Sequence, residues 1–315
     1  YQAGPTRNPR NDAYTPGGSS SGSAAAVADD MVPFALGSQT AGSIIRPASY
    51  CGIVGFKPTF GAVPRAGVKS LAESLDTVGG FARSVPDVAL FASVMMRDPR
   101  MLDLAYEGKP RVGMCRTLQW RHAQPETKEA FAQAAATLSR AGAVVQEVPL
   151  PSQDCMLVQL HADIMAFEAS QSLAFERLQH ASQLSPKIQA VLEAGSQITA
   201  EEHIKNLARA EESRARVNSW FQDFDVVLAP SAAGEAPFAD LGTGDPQFSR
   251  AWTLFGLPCL NLPFATGPQG LPVGLQVVGQ RYDDHRTLAV AAWIHERLLA
   301  ANAPDIGASD MWPRG

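Results

Sequence analysis

The chain has 315 residues and a formal net charge of −5, with 45% hydrophobic and 18% charged residues. A chain of this length and composition can bury one substantial core, and we predict a single domain over residues 1–315. The acidic balance disfavours direct nucleic-acid binding, and no apolar run approaches the roughly 18–20 residues that cross a bilayer. We therefore predict neither a nucleic-acid partner nor a membrane partner.

The start of the chain has no features of a targeting signal. Residues 1–16 are polar, contain three prolines and lack the apolar segment of a signal peptide. Because the sequence also opens without methionine, we expect an N-terminal truncation. The cysteines are widely spaced and form no CxxC pair, which indicates reduced, packed thiols in a cytoplasmic protein. They stand at Cys51, Cys115, Cys155 and Cys259.

Two glycine-rich loops carry hydroxyl groups near the N-terminus. The first, residues 17–23 (GGSSSGS), runs into the small apolar residues 24–28, which predicts the entrance of a packed helix rather than a flexible linker. The second, residues 38–43 (SQTAGS), follows a short apolar run at 31–36. Serine before a helix is most often an N-cap, so the first loop taken alone has a structural explanation.

Alternating strand and helix patterns follow the two loops. A helix over residues 125–141 lies between strand candidates at 111–115 and 143–148, and this βαβ order predicts parallel pairing. Residues 150–224 are predicted to form a helical cover on the sheet. The other predicted elements are strands at 51–61, 225–230, 259–263 and 274–278, and helices at 85–96, 156–179, 200–224 and 287–300.

The order GGSSSG, GSQTAGSIIRP and then CGIVGFKPT resembles the amidase signature family of serine amidohydrolases. Weaker similarity continues through the segments at 225–230, 256–258 and 270–276, so the resemblance covers nearly the whole chain. It implies an α/β fold with a mixed β-sheet sandwiched between helical layers. It also implies hydrolysis of a small-molecule amide through a serine acyl-enzyme, with no cofactor and no metal.

The resemblance assigns roles to the hydroxyls of both loops. Ser43 is the nucleophile, and Ser19 is a bridging serine that follows a cis peptide from Gly18 and relays protons to a lysine base. Ser20 is expected to support Ser19, as is Gly18. The oxyanion hole is expected at the backbone N–H groups of Thr40, Ala41, Gly42 and Ser43.

Other residues in the motifs leave alternatives open. Arg46 either pairs with an acidic neighbour or binds a substrate carboxylate, as in relatives with a Ser-x-x-Arg-Pro pattern. Gln39 replaces the aspartate typical of the family, so charge pairing at that position is not expected. Lys57 is expected to be structural, because the family's lysine base lies upstream of the first loop. No lysine precedes Ser19, and we expect residues 1–315 alone to be inactive.

Rival mechanisms fit the sequence less well. Residues 18–22 match the GxSxG elbow of α/β-hydrolases, but the polar, proline-rich residues 8–16 do not predict the strand that must precede it. The six histidines lack metal-ligand spacing, and residues 17–23 lack the ending of a phosphate-binding loop. Two alternatives remain, the amide-hydrolysing subunit of a tRNA-dependent amidotransferase and a non-catalytic fragment. Homo-oligomerisation and the identity of the substrate stay open.

Overall fold

The computed structural model describes residues 5–148 and 156–302. The strands of these residues form one mixed sheet in the order β1-β3-β2-β7-β8-β6-β4-β5. β4 pairs in parallel with β5 and β6, and the other neighbours are antiparallel. The strands are β1 (Phe34–Gln39), β2 (Val54–Lys57), β3 (Thr77–Ala82), β4 (Arg111–Met114), β5 (Val144–Glu147), β6 (Val226–Pro230), β7 (Cys259–Thr266) and β8 (Pro272–Val278).

Helices cover both faces of this sheet. They are α1 (Ser21–Ala28), α2 (Ile45–Cys51), α3 (Val85–Met95), α4 (Pro125–Arg140), α5 (Leu157–Ser172), α6 (Ala174–Gln179), α7 (Pro186–Ser196), α8 (Ala200–Asn218), α9 (Arg250–Leu254) and α10 (Asp284–Asn302).

The alternation of side chains along β6 shows how the two layers are separated. Val226 and Leu228 pack in the core shared with α3, α4 and α10, whereas Val227 and Ala229 pack with α5, α8 and α9. Successive strand residues point to opposite faces, so a wholly apolar strand must be covered on both sides. The predicted α/β fold with a mixed sheet between helical layers is confirmed.

Several predicted elements agree with the structure. The βαβ unit of β4, α4 and β5 is present with parallel pairing. The predicted helix at 156–179 is divided into α5 and α6, and the one at 200–224 ends at Asn218 as α8. α8 begins with a capping box, in which Thr199 accepts from the Glu202 N–H while the Glu202 carboxylate accepts from the Thr199 N–H.

Other elements were missed because their sequences lack the usual patterns. The sequence TVGGFA of β3 contains two glycines, which weaken strand propensity. Tertiary packing requires one of them, since a Cβ at Gly79 would clash with the Phe56 carbonyl oxygen. The helices α2 and α9, which flank the serine loops, were not predicted either. α7 was predicted only as part of the helical cover at 150–224, although Ser185 caps it and Pro186 stands in its first turn.

Three of the four cysteines, Cys51, Cys115 and Cys259, are buried free thiols. Cys155 lies outside the described residues. Among the helices that the structure describes, none combines the length and the apolar character needed to cross a membrane.

A buried carboxylate joins three elements at one end of the sheet. Asp225, just before β6, accepts hydrogen bonds from the backbone N–H and the guanidinium of Arg111, at 2.8 and 3.0 Å. It also accepts from the Tyr106 hydroxyl at 3.0 Å and from Arg286 of α10 at 2.6 Å. Burial alone would raise the pKa of Asp225, but these hydrogen bonds, led by those of Arg111, hold the pKa below its ordinary value.

We expect Asp225→Asn to lower the free energy of unfolding at pH 7 by about 1–3 kcal/mol, measured by urea titration. Because the folded pKa is lowered, the carboxylate stabilises the protein fully above the ordinary aspartate pKa, about 3.9, and this contribution is lost as the pH falls through the lower folded value. The difference between the variants should therefore shrink below about pH 4. The exposed Asp223→Asn is the control, and equal stability of Asp225→Asn and wild type at pH 7 would contradict the prediction.

Candidate active site

The first serine loop is fixed by close backbone packing. Gly17 has a φ of +83°, and a Cβ there would lie 2.8 Å from the Cα of Pro47. The Gly18–Ser19 peptide is cis, as the resemblance implied. A Cβ on Gly18 would lie 2.7 Å from the Thr243 side chain. Glycine is therefore needed at both positions, because neither leaves room for a Cβ and Gly17 also has a left-handed backbone.

The three consecutive serines of the first loop, Ser19, Ser20 and Ser21, have different surroundings. The Ser21 hydroxyl donates to the Gly17 carbonyl at 2.7 Å. The Ser20 hydroxyl accepts from the backbone N–H of Ser38 and donates to its carbonyl, both at 3.3 Å, and so connects the two loops. Ser20 precedes α1 but makes no side-chain cap hydrogen bond. Ser19 is exposed.

The carbonyl groups of the second loop are each bound by a different part of the protein. The Thr40 carbonyl lies 2.7 Å from Nε2 of His161. The Ala41 carbonyl accepts from the Thr253 hydroxyl at 2.8 Å, and the Gly42 carbonyl accepts from the Arg46 backbone N–H at 3.0 Å. In a planar trans peptide the N–H points opposite to the C=O. These contacts therefore orient the N–H groups that follow, those of Ala41, Gly42 and Ser43.

The N–H groups predicted for the oxyanion hole are unpaired. Among the described residues, the N–H groups of Thr40, Ala41, Gly42 and Ser43 donate no hydrogen bond, whereas those of the next residues, Ile44 and Ile45, donate to the side-chain oxygen of Gln39. A run of unpaired, oriented N–H groups next to a hydroxyl can donate hydrogen bonds to a negatively charged oxygen.

Gln39 has a structural role that an aspartate could fill only in part. Its side chain is fully buried, with the oxygen 2.9 Å from the Ile44 nitrogen and 3.1 Å from the Ile45 nitrogen at the start of α2. Its Nε2 donates to the Thr253 hydroxyl at 2.9 Å, which leaves that hydroxyl free to donate to Ala41. A carboxylate has no such donor.

No hydrogen bond joins the Ser19 and Ser43 hydroxyls, although a direct proton relay between them would use one. Among the described residues, neither hydroxyl has a hydrogen-bond partner, although both loops lie against α2 and are joined through Ser20 and Ser38. The assignment of these two serines to a relay stays a prediction.

Arg46 is buried directly behind the first loop. Its Nη2 donates to the Gly18 carbonyl at 2.6 Å and to the Thr243 hydroxyl at 3.3 Å. Among the described residues, its Nε and Nη1 have no hydrogen-bond partner. Burial lowers the pKa of Arg46, an effect that the nearby Tyr50 and Asp245 oppose. The alternative of a direct ion pair with an acidic neighbour is not formed within the described residues.

Two lysines within the chain that could be mistaken for the base, Lys57 and Lys69, have other partners. Lys57 is fully buried, its Nζ donates to the Pro58 carbonyl at 2.8 Å, and burial lowers its pKa. Lys69 is exposed and pairs with Glu176 at 2.7 Å. Lys187 of α7 lies against Gly242, where a Cβ would be 2.7 Å from its Nζ. Gly242 precedes the Thr243 that contacts Gly18.

The GxSxG alternative lacks its structural context. A nucleophile elbow requires a strand that turns sharply into a helix. Among the described residues before Gly17, pairing is limited to one isolated bridge, between Tyr14 and Phe238.

The sequence interpretation missed Thr253 and His161. Neither residue belongs to a motif near the serines, and both reach the second loop from distant parts of the chain. The available signal for His161 was its helical spacing with Leu157, Leu160 and Ile164, which indicates a place on the buried face of the helix but no partner.

Comparison with known proteins identifies the family to which the chain is similar. A family model described as Amidase matches residues 1–288. A glutamyl-tRNA(Gln) amidotransferase subunit from Pseudothermotoga lettingae is 32% identical, with 91% of this chain and 70% of that protein aligned. The corresponding protein of Treponema denticola is 29% identical over 92% of this chain and 70% of its own length.

Solved structures give the same result. A crystal structure of an amidase superposes with a TM-score of 0.85 and 30% identity, over 93% of this chain and 69% of that one. A bacterial aryl acylamidase of the amidase signature enzymes superposes with a TM-score of 0.78 and 26% identity, over 93% of this chain and 68% of that one. The resemblance in the serine loops is confirmed, and the chain belongs to the amidase family, whose members act on carbon–nitrogen bonds.

Proposed function

We propose that this chain carries the nucleophile of an amidohydrolase, which cleaves a carboxamide or related C–N acyl bond through an acyl-enzyme on Ser43. The observation that supports this most directly is the run of unpaired N–H groups at Ala41, Gly42 and Ser43, which ends at the Ser43 hydroxyl. Such donors stabilise the oxyanion of a tetrahedral intermediate, commonly the largest contribution to acyl-transfer catalysis.

In the proposed reaction, the Ser43 oxygen attacks the amide carbon while its proton passes to Ser19 and from there to a lysine. The carbonyl oxygen becomes an oxyanion that accepts from the N–H groups of the second loop. The intermediate then collapses as the C–N bond breaks, and the relay returns a proton to the departing amine. Water hydrolyses the acyl-enzyme through the same steps and releases a carboxylic acid.

The unpaired, buried nitrogens of Arg46 support the proposal that the substrate carries an anionic group. Its unpartnered Nε and Nη1 are buried N–H donors, and burying such donors without acceptors is unfavourable. A carboxylate on the acyl group would satisfy them in the planar, paired geometry that guanidinium offers. We propose this contact as the substrate-binding role of Arg46.

A second candidate function is the amide-hydrolysing subunit of a tRNA-dependent amidotransferase. It is supported by the curated relatives, which are described as subunits of glutamyl-tRNA(Gln) amidotransferase. Co-purification distinguishes the two candidates, since this function requires partner subunits that travel with the chain through size-exclusion chromatography. A free hydrolase would elute without such subunits, as a monomer or a homo-oligomer.

In the form extended by native sequence upstream of Tyr1, we expect Ser43→Ala to abolish both amide turnover and labelling by a fluorophosphonate probe, because the variant lacks the attacking oxygen. Ser19→Ala should retain the oxyanion donors but lose most of the turnover, by about 10³-fold or more. Intact-mass spectrometry of the labelled protein checks the first result, and steady-state kinetics check the second. Labelling that survives in Ser43→Ala and disappears in Ser20→Ala would support the nucleophile elbow instead.

We expect Arg46→Lys to reduce the preference for carboxylate-bearing over neutral amides of similar size by about tenfold, since lysine keeps the charge but loses the fork. The ratio of kcat/KM for the two substrates is the measure, because it cancels any effect of losing the contact with Gly18. Arg281→Lys, a conservative change at an arginine outside the serine loops, is the control. An unchanged ratio in Arg46→Ala would contradict the carboxylate role.

We expect residues 1–315 alone to turn over amides far more slowly than a form extended by native sequence upstream of Tyr1, because the proposed lysine base would lie in that extension. Burial should lower the pKa of this lysine, so activity should rise on the alkaline side of neutrality. Comparable turnover by both forms would place the base within this chain. Lys187→Met in the shorter form would then test the lysine beside Gly242.

A further inference from the structure

We propose that His161 of the helical cover and Arg250 of α9 are positioning residues that fix the oxyanion-hole loop. This inference rests on the proposed function, since it concerns the same N–H groups. It assigns a role to a buried histidine of α5 and to an arginine of α9 that contact neither serine in the structure.

The contacts of the His161 ring define one tautomer. The Thr40 carbonyl oxygen, 2.7 Å from Nε2, can only accept, so Nε2 carries the hydrogen. Nδ1 is then the acceptor, and it lies 3.3 Å from Nη1 of Arg250, which can only donate. Both ring nitrogens are therefore satisfied in a neutral imidazole. Burial, and then the charge of Arg250, lower the pKa of His161 to about 3, so the ring remains neutral near pH 7.

The hydrogen bond from His161 to the Thr40 carbonyl completes the support of the second loop. The Thr40 carbonyl and the Ala41 N–H belong to one planar peptide, so a hydrogen bond on the oxygen fixes the direction of the N–H. Thr253 acts on the next peptide in the same way. Arg250 and Thr253 stand three residues apart in α9 and so lie on one side of that helix. The short helix α9 thus supports two successive peptides of the loop. Thr253 binds one carbonyl directly, and Arg250 holds the His161 ring that binds the other.

The fourth neighbour of this arrangement is Asp76. Its Oδ1 accepts from the Thr40 hydroxyl at 2.5 Å, while its Oδ2 accepts from the backbone N–H groups of Leu71 and Ala72. Thr40 is therefore held at its side chain as well as at its carbonyl. Asp76 can keep Thr40 in place without His161, but it does not bind the carbonyl, so the orientation of the Ala41 N–H depends on the imidazole.

The test uses the form extended upstream of Tyr1, which is the form expected to be active. It compares variants that remove the hydrogen-bond donor to the Thr40 carbonyl with a variant that keeps it. His161→Leu should lower kcat by about 10- to 100-fold with KM changed by less than about threefold, a smaller loss than deletion of an oxyanion donor. His161→Gln offers an amide donor near the position of Nε2 and should recover most of that loss. Arg250→Met leaves the imidazole in place and should give an intermediate loss. His203→Gln, in the same helical cover, is the control and should keep the wild-type kcat.

A second measurement does not depend on turnover. Hydrogen–deuterium exchange of a peptide covering residues 38–45 should accelerate at least fivefold in His161→Leu and return towards wild type in His161→Gln. Unchanged exchange and kcat in both His161→Leu and Arg250→Met would overturn the proposal. If wild type is not labelled at Ser43 while the exchange result holds, the proposed function fails and the positioning role stands. If His161→Leu does not fold, His161→Gln and Arg250→Met decide the matter by the same two measurements.

Discussion

The buried amide of Gln39 is the contact on which the arrangement of the serine loops depends. Its oxygen accepts two N–H groups at the start of α2, and its nitrogen donates to Thr253 of α9. One side chain therefore joins the end of the edge strand β1 to the nearby helix α2 and to α9, which is distant in the sequence. Because a buried donor or acceptor left unpaired costs about 1–3 kcal/mol, each of these contacts favours a single geometry of the loop between Gln39 and Ile44.

In that geometry the carbonyl side and the N–H side of each peptide in the loop have different hydrogen bonding. The carbonyl oxygens of Thr40, Ala41 and Gly42 accept hydrogen bonds from groups of the protein, whereas the N–H groups on the opposite side donate none among the described residues. Preorganised donors of this kind need no reorganisation when charge develops on a substrate.

Membership of the amidase family accounts for the loops but leaves the choice of substrate open. The relatives include proteins described as amidotransferase subunits, amidases and an aryl acylamidase, all with the same fold. A common fold that hosts several reactions assigns function through its site. In this chain the guanidinium of Arg46 is buried behind the first serine loop, where it binds the Gly18 carbonyl with one nitrogen and leaves two others without partners among the described residues.

The sequence by itself determined the family, the α/β class, the parallel βαβ unit and the two hydroxyl-bearing loops, because each of these is encoded by local pattern or by motif. The tertiary structure decided the rest. α2, α9 and β3 carry weak local signals, and the close approach at Gly79 shows that the glycines of β3 serve packing. Thr253 and His161 reach the second loop across 212 and 121 positions of the chain. Contacts at such separation leave no periodicity in a sequence, so only the folded arrangement of the helices could reveal what holds the Ser43 loop in place.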